Sequence, residues 1–442
     1  MKTQAPTPAQ CSALAPAGRH ADRRPSAAQR GAASLVVVMV LFFVLALTAA
    51  YTNRNLIFEQ HTSVNQYRST QAFEAAEAGL EWTVALLNGG RIDDACVETG
   101  SSVGLSFRQR YLVVDAATGV LTAATQAGSG AALTPSCVAD GNGWRCHCPS
   151  DSAPSLAAAT GSGIAPAFRV RFVSAGTTLP GVVRVEVSGC TRLAEDCLQF
   201  PAVGVEGEGR AGLSALVALK PALSTQPSAA VTVLGRIDGH GALAAYNTDP
   251  RRGGVTIQAG GTVDLAGKVL RSVPGTPGPA SVAASDATLQ ALDAAPDRAF
   301  ASVTGVWPDT YRLQPAAVRV DCAVGGCRQA LADLAAAHPG RVLWVTGNLV
   351  LESDGDIGSA AEPVTLIVAG QVSVTAASRI FGFVHARGGW AGGGTVRGAL
   401  FSEATLTAAA TPTVIYDGPL LEAIRRHSGS FVRLPGSWRD FP

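Results

Sequence analysis

The chain has 442 residues, 47% of them hydrophobic and 15% charged, and a formal net charge of +1. With 49 Gly and 25 Pro beside only two Met, the composition favours a turn-rich β protein over a helical one, and no basic excess argues for a nucleic-acid partner. The length exceeds one typical domain.

Residues 1–31 are rich in Ala, Pro and Arg and show no apolar period, so they read as a disordered leader. They hold Lys2, Arg19, Arg23, Arg24 and Arg30 against Asp22, a net of +4 that leaves −3 for the rest. From Ala32 to Tyr51 no side chain is charged. About twenty apolar residues are what a helix needs to cross a bilayer, and the cations before them place the leader in the cytoplasm and the large part outside.

No Pro or Gly follows until Gly79, and Phe73, Ala76, Leu80, Val84 and Leu87 recur in steps of three and four. The spacing predicts one helix over residues 32–88, roughly 85 Å long at 1.5 Å per residue. It is stopped by Asn88-Gly89-Gly90. Such an extension argues against both a plain single-pass anchor and a cleaved secretory signal, since no small-residue cleavage site follows Tyr51.

Residues 91–220 carry alternating runs at 111–114, 167–173, 181–187 and 209–219, which predict an antiparallel sheet against the second half of the helix. The stretch GNGWRCHCPS, 141–150, is expected in a loop. Lys220-Pro221 reads as the turn opening a second region, 221–442. Its brief apolar strands separated by glycines look like a short right-handed β-solenoid. Helices are predicted over 285–294 with Ser285 as N-cap, over 328–337, and over 420–427, with the tail as the solenoid's cap.

Cys11 lies in the leader, which leaves Cys96, Cys137, Cys146, Cys148, Cys190, Cys197, Cys322 and Cys327. An even number outside the inner membrane suggests disulfides. Cys190 with Cys197 and Cys322 with Cys327 would close small loops, whereas the other four allow three connectivities, with Cys146 and Cys148 bonded to different partners. The expected fold class is therefore α+β, a long N-terminal helix followed by a mainly β, disulfide-bonded head.

No Walker-type loop, Gly-x-Ser-x-Gly elbow or His-Glu-x-x-His pair occurs, so no enzyme and no cofactor is expected. Asp354, Asp356 and Glu362 miss the spacing of a calcium loop and read as a solvated turn. His147, between Cys146 and Cys148, could form a zinc site with Cys137, but disulfides fit an oxidising compartment better. His240 reads as a turn residue. HARGGWAGGG, with Trp390, reads as a solenoid turn before an exposed partner loop.

The basic leader ending in Gly31 and the half-greasy helix resemble the N-terminal segment of type IV pilins. Arg30-Gly31-Ala32-Ala33-Ser34-Leu35-Val36-Val37 with QAFEAAEAGL, 71–80, is similar more closely to the PilX-type minor pilins. Trp144-x-Cys146-x-Cys148 and the closing SGSFVRLPGSWRDF also resemble them. The resemblance implies cleavage after Gly31 by a prepilin peptidase and N-methylation of Ala32. Major pilins carry a glutamate where this chain has Val36, an absence shared with minor pilins and pseudopilins at filament ends. It implies an inner-membrane protein with a periplasmic head, later part of a surface pilus. Its partners would be other minor and major pilins, and a tip adhesin, with adhesion and twitching motility downstream. Residues 1–31 are long for such a leader, which points to an internal start codon as an alternative. Other classes stay open: a type II secretion tip pseudopilin, or a membrane-anchored β-solenoid that binds polysaccharide.

Overall fold

The computed structural model describes residues 31–151, 156–157, 164–200, 207–238, 243–322, 327–407 and 412–440. It forms two compact units, Met1–Val64 and Asn65–Pro442. Helix α1, Gly31–Leu87, is unbroken over 57 residues, as expected of a stretch with no proline and no glycine between Gly31 and Gly79.

Within the second unit, Ala72, Ala76, Leu80 and Leu87 of α1 are fully buried. They lie against a six-stranded antiparallel sheet, ordered Gly429–Arg433, Arg210–Pro221, Val182–Cys190, Ala167–Ser174, Ser136–Ala139 and Trp144–His147. Alternation along the strands turns Phe168, Val170, Phe172, Val183, Val185, Val187, Leu213, Ala215 and Val217 into the core shared with α1. The opposite face carries pairs such as Arg169 with Glu195 and Arg171 with Glu186. The helix ends on the sheet's edge strand. Asn88 donates through Nδ2 to the Phe431 carbonyl at 2.8 Å and accepts from the Phe431 N–H at 2.8 Å, so one side chain satisfies both backbone groups of an edge residue.

Three expectations are corrected here. GNGWRCHCPS holds an edge strand, Trp144–His147, because it pairs with Ser136–Ala139. Tyr111 ends α2, Phe107–Tyr111, and the strand begins at Leu112. Ser106 and Gln109 form a capping box that starts this helix. Lys220 and Pro221 are not a turn, since they are paired in the sheet with Ser430 and Gly429.

The second part of the head is built on parallel pairing. One row stacks Ala317–Val320, Val342–Val345, Val364–Val368, the second halves of Ser378–Ala386 and Thr395–Ser402, then Val231–Val233, Ile257–Ala259 and Val282–Ala283. A second row stacks Leu349–Leu351, Val372–Val374, Trp390–Gly392, Leu406–Thr407 and Ile237–Asp238. A third runs from Gly355–Ile357 to Val269–Arg271. The three rows enclose an apolar interior of Val, Leu and Ile.

The stacking order is not the chain order. The chain enters in the middle with 231–271, passes through α3 (Ala287–Asp293), α4 (Pro296–Thr304) and α5 (Pro308–Tyr311), then resumes at the far end and builds back to meet residues 231–246. Asp286, not Ser285, caps α3, its carboxylate accepting from Thr288 and Leu289 N–H. Ser285 has φ +55, outside the geometry of a cap.

At the far end α6, Cys327–Ala337, packs on Val342–Val345, Leu349–Leu351 and Gly355–Ile357. The tail is therefore not the end cap. Its helix α7, Gly418–His427, lies across Ser378–Ala386 and Thr395–Ser402, and its last strand leaves the solenoid for the antiparallel sheet. The cysteines form four pairs: Cys96–Cys148, Cys137–Cys146, Cys190–Cys197 and Cys322–Cys327.

Arg108, a buried arginine, joins the two parts of the head. Its Nε donates to Leu87 O at 2.8 Å and its Nη1 to Gly340 O, His427 O and Gly429 O at 3.0–3.3 Å. Those carbonyls end or follow α1, α6 and α7, where the helix dipoles favour a cation. Burial, then the charge of Arg341, pushes its pKa down to about 9. Arg91 and Gln109 add a second tie, both reaching Glu362.

Three histidines of the head have pKa values shifted from the ordinary one. His385 is buried between Phe300 and Phe401 and bonded to Glu403 at 2.8 Å, while His338 and His427 lie beside Arg341 and Arg426. Burial lowers all three pKa values below the ordinary 6.5. The unfolded chain then binds more protons, so this contribution to stability is intact above about pH 6.5 and falls as the pH drops below it. Glu422, held down to about 2 chiefly by Arg425, loses its contribution only below the usual carboxylate range. Urea midpoints measured at pH 7.5 and pH 5.5 should differ, the lower at pH 5.5. Equal midpoints would contradict this account.

Candidate functional site

The first unit is the exposed apolar part of α1. From Ala33 to Asn53 the helix carries no Asp, Glu, Lys, Arg or His, and Arg54 is the first. Large apolar groups point outward all round, including Leu35, Val36, Met39, Phe42, Phe43 and Leu47, with Phe42 73% exposed. The segment is long and apolar enough to cross a membrane, and none of it is buried.

Its threonine hydroxyls are satisfied within the helix. Thr48 Oγ1 bonds to Val44 O at 2.9 Å and Leu45 O at 2.9 Å, and Thr52 Oγ1 to Thr48 O at 2.9 Å. A helix that closes its own polar groups is suited to hydrocarbon, where an unmatched one costs several kcal/mol. Gly31 and Ala32 stand in the first turn of α1, and Val36 is 59% exposed one turn on. Residues 1–30 lie outside the described residues.

The weaker sequence signals are dispersed. Asp356 pairs with Arg379 at 2.7 Å, Asp354 accepts from Ala377 N–H, and Glu362 is taken by Arg91 and Gln109, so these carboxylates do not converge. Among the described residues no group of three His, Cys, Asp or Glu is placed to hold a metal. His147 ends an edge strand beside the Cys137–Cys146 pair. His240 lies outside the described residues. Trp390, the anchor of the envisaged partner loop, is 1% exposed and points into the solenoid interior. Sequence reasoning missed Arg108, whose only local signal is the Ser106–Gln109 capping box holding it in a helix.

Residues 30–81 match the family described as PilX N-terminal. No curated protein matches the chain. Among solved structures, the crystal structure of the competence-associated pilin ComZ from Thermus thermophilus is similar at 13% identity. That match covers 84% of this chain and 97% of that one with a TM-score of 0.21, too low to carry an argument. Over residues 30–81 the chain is therefore similar to the PilX N-terminal family, and through that stretch to type IV pilin-like proteins.

Proposed function

We propose that the protein is a minor pilin of a type IV pilus, cut after Gly31 by a prepilin peptidase and methylated at Ala32. The observation that carries this reading is the exposed, uncharged stretch of α1 inside a PilX N-terminal match. Such a surface is stable in lipid or among other apolar helices, and in water it is not. The helix passes from the inner membrane to the filament by exchanging lipid for the helices of other pilins.

Val36 supports a place at the filament end. An acid at that position would pair with a neighbour's N-terminal amine, and valine offers no such partner. From the tip the head primes assembly and presents an adhesin, supporting adhesion and twitching motility. Filaments sheared from the cell surface test this. The protein is expected in that fraction in small amounts, and its confinement to the inner membrane would count against the reading.

A further inference from the structure

Val306, Leu313 and Val432 line a cavity of about 500 Å³ where α5 and the residues after it meet the antiparallel sheet. Alternation puts Lys220, Ser430 and Val432 on the sheet face turned away from α1, since Leu219 and Phe431 pack into the core shared with that helix. Leu313 is 62% exposed and Val432 37%, so both apolar walls stand open to a ligand. The volume lies within the ~300–1,000 Å³ typical of small-molecule sites.

Most polar groups around the cavity are already engaged. Ser430 Oγ accepts from the Ala316 N–H at 3.0 Å and donates to Gln314 Oε1 at 2.9 Å. Tyr311 gives its hydroxyl to Ala222 O at 2.9 Å, and Asp309 is paired with Arg312 at 3.1 Å. The half-buried Lys220 differs, because its ammonium has neither an ion pair nor a hydrogen bond among the described residues. It is stationed beside Gly305, the residue that ends α4, where an added Cβ would stand 3.0 Å from Nζ. The helix dipole favours a cation there. A sugar or a phosphate would find too few partners in such a cavity, and a neutral hydrocarbon would leave the ammonium unmatched.

We infer that this cavity binds a carboxylate carried on an apolar chain, its charge on Lys220 and its chain against Val306, Leu313 and Val432. The site is separate from the helix-based function above and is tested without it. The full chain in phosphatidylcholine nanodiscs is titrated by calorimetry with sodium octanoate, with empty nanodiscs as the blank. Saturable binding is expected, roughly tenfold tighter than that of hexanoate, because two more methylenes are buried. Lys220→Met keeps an unbranched stem and removes the charge, which weakens octanoate about tenfold. Leu313→Asp sets an acid at the mouth and weakens it similarly, while both variants keep the wild-type melting temperature. Octanoate also slows acetylation of Lys220 by an N-hydroxysuccinimide ester and leaves that of Lys268 unchanged. No saturable binding, equal binding of octanol, or an unchanged affinity in Lys220→Met would overturn the inference. Free fatty acids and polypeptide ends share this chemistry, and competition by acetyl-Ala-Ala-Val-Leu separates them. Displacement of octanoate by the peptide acid and not by its amide supports the site with a polypeptide end as its ligand, and octanoate binding that the peptide leaves intact supports it with a free acid.

Discussion

Replacing Arg108 by alanine is expected to destabilise the head by about 3–5 kcal/mol, the scale seen when a buried charged network loses one member. The side chain serves four carbonyls, of which Leu87 O and Gly429 O are bonded to it in buried positions and would lose their partner there. Packing is lost as well, since the guanidinium lies 5.1 Å from the Phe431 ring. Arg108→Lys should recover little, because one ammonium cannot reproduce the fork that spans α1 and α7. Urea denaturation of the three proteins checks this. A midpoint for Arg108→Ala within error of wild type would show that the four contacts contribute nothing net.

Gly189→Ala should cost about 3 kcal/mol, at the upper end of overpacking effects. A Cβ there would stand 2.2 Å from Ala72 O and 2.6 Å from Ala76 N, and helix backbone cannot step aside without moving α1 from the sheet. Gly79 lies on the helix side of the same packing, where the atoms nearest an added Cβ belong to the Phe168 and Val187 side chains, at 2.7–2.8 Å. Side chains can repack, and alanine improves a helix interior by about 1 kcal/mol, so Gly79→Ala should be much milder. Thermal melts of the two variants decide it. Equal losses would mean that the helix is not seated by strand glycine.

The long helix was legible because its signals are local: an uncharged run, a 3.6-residue period and the Asn88-Gly89-Gly90 stop. The antiparallel sheet was legible for the same reason, as runs such as AFRVRFV and GVVRVEV alternate over consecutive residues. What could not be read is non-local. Nothing near 231–246 says that it stacks on 399–416, since that contact depends on the crossing through α3, α4 and α5. The tail was misread for a related reason. Gly429–Arg433 has strand character, but its partner strand lies more than 200 residues earlier. Among the site residues, the apolar helix face is visible in composition, whereas Arg108 looks like any surface cation until Leu87 and His427 close over it.

The central claim is that α1 is freed at Gly31 and then shared with sister helices. Mass spectrometry of the N-terminus of the chain recovered from sheared surface filaments addresses it directly. The account predicts a mature protein beginning with N-methylated Ala32. An N-terminus that still carries residues 1–31, or one that begins beyond Ala32, would contradict it.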